Sequence, residues 1–551
     1  MPHAQFEEDK QQQKLEEMHK EGEEKAAQHT AQKNNLPYAN LFIAVIDPEA
    51  LFLIDEQTAT DSEMAIIQKT DDTLLITVRD PQNPNTKNTL MGIEKKYRIK
   101  MMVVSLRSLK KAWEFYKTMG EKKDITGSLE ISPDTISAFE KEIKTVADAQ
   151  NKFKTTHEDV VHVLELMIGS SLGLGASDIH FEPKNNDVDL RFRIDGLLQN
   201  IFTCDKKIYK SILTRIKLIS GLKINITEIP QDGRFTIKLG GLEVEVRVSI
   251  LPGAYGEDIV MRILHPKAIS VPLEELGFQK FHYDIISREI QRPNGIILVT
   301  GPTGSGKTTT LYAFLKKLNS PEVKIITIED PVEYHVEGFA QTQVSPEKGL
   351  PFASALRSIL RQDPDIILLG EMRDKETVEV AIHAALTGHL VFSTLHTNDA
   401  IASIPRLIDM DTNPSILAQA INMALAQRLV RKICKKCGIK RKVNDYELGL
   451  LKENLSGLPK EYNIPEINEN TEIPQPKGCD ACNNTGYKGR IGIFELFYLD
   501  EEIKSLILKS PSVYDLKKIA EKKGMITMRQ EGFVKILNGL TTIEEVVSVT
   551  G

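Results

Sequence analysis

No stretch of this sequence approaches the roughly 18 to 20 consecutive apolar residues that cross a bilayer. The opening residues, MPHAQFEEDKQQQ, are polar and acidic where a secretory leader would be apolar, so the expectation is a cytoplasmic chain. Cysteine is scarce: five in 551 residues are too few for a disulfide scaffold. A basic excess is also missing, since the net charge is -7 with 27% charged residues. No concentrated stripe of basic and aromatic residues marks a nucleic-acid track. What is present is an ordinary polar-apolar balance, in a length that suggests about three to five domains.

Residues 1–34 are rich in Gln, Glu and Lys and poor in large apolar side chains, which predicts a polar tail, either a frayed helix or disordered. From Leu41 onward, short β-rich runs alternate with turn residues and close on the amphipathic SLKKAWEFYKTM, predicting a first N-terminal α/β domain over 35–120. Residues 121–157 are polar and helix-prone, with Ser132 as an N-cap, and read as a linker. The apolar-periodic DVVHVLELM and the alternating runs VDLRFRIDGLL and LEVEVRVSILPG predict a second α/β domain over 158–268. In RFR, Arg191 and Arg193 fall at i and i+2 on one strand face, and Arg247 lies on another such strand. Arginine forks suit phosphate oxygens, and exposed strand arginines are equally a solvated face.

GPTGSGKTT, Gly301 to Thr309, follows the apolar GIILVT and precedes the helix-prone TTTLYAFLKKLN, and strand, loop, helix is the context a phosphate loop requires. Gly301, Gly304 and Gly306, with Pro302, Thr303 and Ser305 between them, turn backbone N–H groups inward. Lys307 supplies charge to the outer phosphates, and Thr308, followed by Thr309, offers a hydroxyl to Mg²⁺. ATP is the expected ligand, and the ATPase domain spans 272–430. Hydrolysis needs acids at strand tips. KIITIEDPVEY supplies Glu329, Asp330 and Glu333, DIILLGEMRD supplies Glu371, and HLVFSTLHTNDA brings His389 and His396, each either a phosphate reporter or a plain core or surface histidine.

CKKC and CDAC place Cys434, Cys437, Cys479 and Cys482 as two knuckles that complete a tetrahedral S₄ site for structural Zn²⁺, in a subdomain over 431–490. Redox chemistry competes, but no thioredoxin-like βαβ pattern adjoins them. Cys204 is left as a core residue. Residues 491–551 read as a helical C-terminal subdomain.

The strings GPTGSGKTTT, ITIEDPVEY, LRQDPDIILLGEMRD and LTGHLVFSTLHTNDA resemble, in order and spacing, the Walker A, acidic, Walker B and histidine boxes of the secretion ATPases that power type II secretion and type IV pilus assembly. ASDIHFEP, RFRIDG, PQDGRF and GEDIVMRIL resemble that family's second N-terminal, PAS-like domain, and the resemblance runs from about 158 to 551. It implies an α/β multi-domain chain with a RecA-like phosphate-loop core, an α/β second N-terminal domain and a tetracysteine zinc subdomain. By motif, Lys307 and Thr308 hold phosphate and Mg²⁺, Glu333 activates water, and Glu371 holds the metal through water. His396 senses the γ-phosphate, and Arg191, Arg193 and Arg234 reach a nucleotide from the second domain.

One departure stands beside that pattern: ITEIPQDGR carries Thr227 and Glu228 where relatives have a basic pair. The resemblance further implies a homohexamer at the inner face of the cytoplasmic membrane, not inserted in it, working on a platform protein and a cytoplasmic scaffold. Its work would be the assembly of pilin-like subunits. A zinc-containing nucleic-acid motor ATPase is the alternative, and a nucleotide-gated scaffold without turnover a third reading. No RLG-type repeat of a cyclic-dinucleotide binder is visible, so that ligand is not expected.

Overall fold

The computed structural model describes residues 22–42, 46–70, 72–119, 127–155, 160–239 and 242–551. Residues 1–21 of the expected tail, and 121–126 and 156–157 of the expected linker, lie outside them. The chain divides into two compact units, Met1–Ile125 and Thr126–Gly551.

The first unit is built on a three-stranded sheet, Met64–Thr70, Thr73–Val78 and Arg98–Val103 in that order, the first pair antiparallel and the second parallel. Helix Leu106–Met119 buries Leu109, Ala112 and Tyr116, the i, i+3, i+7 spacing of one apolar stripe. Residues 22–33 are helical and bury Ala27 and Ala31, while Glu24 accepts from Tyr38 and, at 2.7 Å, from Ser105 Oγ. This part of the expected tail is therefore folded. Two alanines at i, i+4 make a narrow apolar seam that a count of large side chains overlooks.

The second unit opens with a seven-stranded sheet: Ser128–Glu130, Gln231–Leu239, Leu242–Gly253, Gly256–Leu264, Ala176–Pro183, Asp187–Ile194 and Leu197–Asp205 in spatial order. All neighbours are antiparallel except the first pair. The expected linker belongs to this domain. Ser128–Glu130 is its edge strand, and helices Pro133–Glu142 and Val146–Thr155 sink Phe139, Ala149 and Phe153 into its core, together with Ile143 between them. Ser132 does cap the first of these helices, accepting from Thr135 N–H. The signal was sparse, one large apolar side chain per helical turn on otherwise polar helices, which reads as surface. A Cβ at Gly169 of helix Val160–Gly173 would fall 2.4 Å from the Phe139 ring, so the two helices approach because that position lacks a side chain.

The second sheet runs Phe339–Gln343, Ile325–Glu329, Ile366–Leu369, Leu390–Leu395, Gly295–Thr300, Ile421–Ile433 and Tyr487–Tyr498, with only the last pair antiparallel. Gly295–Thr300 and Leu390–Leu395 are buried at every position, as strands covered on both faces are. This is the RecA-like core, and its phosphate-loop strand lies where the strand order turns, the place α/β sheets reserve for ligands. The tetracysteine segment, expected over 431–490, is an insertion between the last two strands, whose paired residues reach Ile433 and Tyr487. The helical C-terminal subdomain likewise begins after Tyr498, with helices Glu501–Ile507, Val513–Lys522, Met528–Leu537 and Ile543–Thr550.

Helix Met528–Leu537 is strapped to strand Tyr487–Tyr498 by a buried pair, Lys535 Nζ to Glu531 Oε1 at 2.9 Å, with Glu531 Oε2 accepting from Phe494 N–H. No described helix is long and apolar enough to cross a membrane.

Candidate nucleotide and metal sites

The phosphate loop leaves strand Gly295–Thr300 and enters helix Lys307–Leu318 through Gly306, which takes φ of 91° at the N-cap. Gly301 and Gly306 admit no substitute: a Cβ would lie 2.6 Å from Gln427 O at the first and 2.7 Å from Gln427 Nε2 at the second. At the crest Pro302, Thr303 and Gly304 are exposed, and a Cβ on Gly304 meets nothing within 4 Å. The helix N-terminus, with Thr308 and Thr309 in its first turn, faces that opening and favours an anion.

Lys307 Nζ donates to Gly301 O at 2.8 Å and Pro302 O at 3.1 Å, so the amine is folded over the loop itself. Its burial lowers its pKa, partly countered by the charge of Glu371. A phosphate beside it would favour the charged form.

Gln427 was not picked out from sequence. From the neighbouring strand Ile421–Ile433 its Nε2 donates to Ser305 O at 2.7 Å and its Oε1 accepts from Thr310 Oγ1 at 2.8 Å, pinning the loop to the sheet at two points. A polar residue closing the apolar run MALA was the available signal. Arg428, next to it, donates to Asn398 Oδ1 at 3.4 Å, and its charge further depresses Lys307.

Glu371, just past strand Ile366–Leu369, meets Arg373 Nε at 2.7 Å and His396 Nε2 at 3.4 Å. Walker lysine, second acid and His396 are thereby one electrostatic neighbourhood. His389 sits at the opposite end of strand Leu390–Leu395, its Nδ1 2.9 Å from Ala384 O, and serves a helix end rather than the loop.

Glu329 is spoken for. It accepts from Tyr312 OH at 2.9 and 3.0 Å, Thr327 Oγ1 at 2.6 Å and Gln341 Nε2 at 3.3 Å. Burial raises its pKa against those bonds. Glu333 is partly exposed and meets Arg247 of the second N-terminal domain, Nη1 to Oε1 at 3.4 Å, while Arg247 Nη2 donates to Val332 O at 3.2 Å.

Arg191, Arg193 and Arg234 do not reach the phosphate loop in this chain. Arg191 pairs with Glu182 at 2.9 Å, Arg193 with Asp178 at 3.5 Å and the carbonyl of Gly196 at 3.1 Å, and Arg234 stands 4.0 Å from Glu245 with 70% of its side chain exposed. Arg247, set apart from sequence only as another strand arginine, is the one of the four that touches the acidic box.

The four cysteine sulfurs lie within 4.8 Å of one another. Cys434 to Cys479 is 4.0 Å, and Cys437 to Cys482 and Cys479 to Cys482 are 3.7 Å. Tetrahedral zinc with Zn–S near 2.3 Å needs sulfurs about 3.8 Å apart, so the donors fit. Burial presses the Cys482 thiol upward, but N–H groups of Cys479 and Gly486, with the Cys437 and Cys479 thiols, outweigh it and lower it to about 7, while burial and the neighbouring thiols push Cys437 up to about 12. The knuckle also touches the second N-terminal domain. Val146 N–H donates to Asn483 Oδ1 at 2.8 Å, and Gly489 N–H to Asp195 Oδ2 at 2.8 Å. Cys204 is buried in the core of that domain, as expected.

Residues 154–548 match the family described as Type II/IV secretion system protein. The type IV pilus assembly ATPase PilB of Myxococcus xanthus is 36% identical over 535 residues, 96% of this chain and 91% of that protein. Type II secretion system protein E of Dickeya dadantii is 43% identical over 391 residues, 71% of this chain and 76% of its own length. Among solved structures, the ATPase DotB of Legionella pneumophila covers 70% of this chain and 95% of its own at a TM-score of 0.51 and 20% identity, a likeness of fold.

Proposed function

The chain belongs to the Type II/IV secretion system protein family, a family of ATP hydrolases, and on that premise we propose that it is a ring-forming motor whose ATP turnover drives assembly of pilin-like subunits. The ring is a homohexamer working through a platform protein of the inner membrane and a cytoplasmic scaffold. The observation that carries this reading is the Arg247–Glu333 contact, because it ties the acid of the acidic box to a different domain.

In the proposed cycle the phosphates of ATP lie over the crest of the loop, held by backbone N–H groups of residues 303–308 and by Lys307 released from the carbonyls of Gly301 and Pro302. Thr308 and, through water, Glu371 would hold Mg²⁺, which when bound offsets the charge of the phosphate oxygens. Glu333 takes the proton of the attacking water once Arg247 lets it go, and letting go requires the second domain to shift. His396, beside Glu371, registers whether the γ-phosphate is there. Arg191, Arg193 and Arg234 stabilise the transferred group after that shift or from a neighbouring subunit. Hydrolysis is thus gated by domain position, which is what a motor needs.

Assembly is the test. Turnover per chain is expected to rise with protein concentration in step with hexamer mass in sedimentation velocity, and turnover that stays flat while hexamers form removes the need for a neighbour.

The tetracysteine knuckle holds zinc in this reading, one ion per chain by elemental analysis of purified protein. Cys434→Ser is expected to lose the zinc and lower the thermal midpoint of the second unit, since metal-binding energy at such a site is folding energy. Intact wild-type protein with no bound metal overturns the assignment.

A further inference from the structure

Glu495 lies on strand Tyr487–Tyr498, opposite Ala426, with 6% of its surface exposed. Its two carboxylate oxygens serve two different segments. Oε1 accepts from Ala400 N–H at 3.0 Å, in the loop that leaves strand Leu390–Leu395 through His396. Oε2 accepts from Met528 N–H at 3.2 Å, the first residue of helix Met528–Leu537.

Both attached segments are internally organised. The loop is closed by Thr397 Oγ1 donating to Asp399 O at 3.0 Å and Ala402 N–H donating to Asp399 Oδ1 at 2.7 Å, and Arg428 holds Asn398 from the phosphate-loop side. The helix carries a capping box between Thr527 and Gln530 that does not use Met528 N–H, and it is strapped to the same strand by Glu531 and Lys535. A displacement of the loop therefore pulls on one oxygen of a rigid carboxylate and the helix feels the other. Beside them a cavity of about 150 Å³, lined by Glu495 itself with Asp399, Ile401, Lys517, Met525 and Thr527, leaves these segments room to shift.

Burial raises the pKa of Glu495 and Asp399 adds repulsion, while the N–H groups of Ala400 and Met528 and the charge of Lys517 work the other way. Well-packed apolar residues commonly serve stability as well as buried ions do. What an apolar side chain cannot do is hold two backbone N–H groups from two moving parts.

We propose that Glu495 is a positioning residue that couples the His396 loop to the C-terminal helices, so that occupancy of the γ-phosphate position is transmitted to helix Met528–Leu537. The proposal rests on the reading of His396 as the group that registers the γ-phosphate. The C-terminal helices then form the output side of the nucleotide site, and Glu495 sets how strongly output follows input without touching nucleotide.

Amide hydrogen exchange on the full-length protein, with and without a non-hydrolysable ATP analogue and Mg²⁺, tests it. In the wild-type chain nucleotide is expected to slow exchange both at residues 396–402 and at 527–531. In Glu495→Gln, which keeps the shape but sets an amide N–H₂ against one of the two N–H donors, protection is expected at 396–402 only, with kcat down about tenfold and KM for ATP unchanged. Met528→Pro removes one donor at a first helical position, where proline is tolerated, and is expected to break the transmission in the same way with Glu495 intact. Wild-type protein with no nucleotide protection at 396–402 overturns the His396 reading and this proposal together. Protection at 396–402 that still reaches 527–531 in both variants, or an unchanged kcat, overturns the role of Glu495 and leaves His396 standing.

Discussion

Glu333→Gln is expected to bind ATP as the wild-type chain does and to hydrolyse it about 10² to 10⁴-fold more slowly, the range a positioned general base supplies. The substitution keeps the side chain's length and its acceptor oxygen, so the contact with Arg247 at 3.4 Å survives while the proton acceptor is lost. Two neighbouring acids are already engaged. Glu329 is enclosed by Tyr312, Thr327 and Gln341, and protonating it would break bonds to a buried network. Glu371 is engaged by Arg373 and His396. Lys307→Ala gives the contrasting result, loss of binding itself, because it removes charge from the phosphate cradle. Equilibrium binding of a fluorescent ATP analogue alongside phosphate release separates the two, and wild-type turnover by Glu333→Gln would move the base elsewhere.

The second large effect is expected at the arginines, and it is graded. An arginine finger is worth about 10³ to 10⁵ in rate, so replacing the residue that acts should cost that much in kcat while leaving nucleotide affinity nearly unchanged. Arg234 is mostly exposed and only 4.0 Å from Glu245, a contact of the kind worth about 0 to 1 kcal/mol, so it is ready to move. Arg193 can also leave cheaply. Its partner Asp178 is buried, but Arg262 sits 3.0 Å from the same carboxylate and stays behind to compensate it. Arg191 makes two bonds to Glu182, at 2.9 and 3.2 Å, and among the described residues no other cation forms an ion pair with that carboxylate. Arg234→Ala and Arg193→Ala should therefore reduce turnover in assembled rings far more than Arg191→Ala. Equal, small losses at all three would make them solvated strand charges and leave Arg247 as the arginine that links the domains.

The sequence made the local chemistry legible. The phosphate loop, the acidic strand tips and the paired cysteines are each defined by neighbours within a few residues, and the backbone follows from the same short windows. Arg191 and Arg193 do share a strand face, as i, i+2 positions must. What escaped are relations across long separations. Gln427 holds a loop 122 residues away, Arg247 an acid 86 residues away, and Glu495 joins segments 95 and 33 residues from itself. No window of sequence contains both partners. The folded segment at 127–155 escaped for another reason: its helices carry their apolar residues too thinly for periodicity to stand out, and only the sheet beneath shows that Phe139 and Phe153 are core.

The tetracysteine insertion has a bearing on the order in which the sheet is completed. Strand Tyr487–Tyr498 must find Ile421–Ile433 across the whole insertion, and the central sheet lacks its edge until it does. Cys434 and Cys479 stand 45 residues apart in sequence. Treated as a cross-link, a metal that joins them removes about 4 kcal/mol of chain-closure entropy from the search. The last strand follows the second knuckle in the chain, so it can pair only after the late cysteines have been made. Zinc supply during synthesis, rather than at the mature site, would then decide how much of the chain reaches a closed sheet with its phosphate loop pinned.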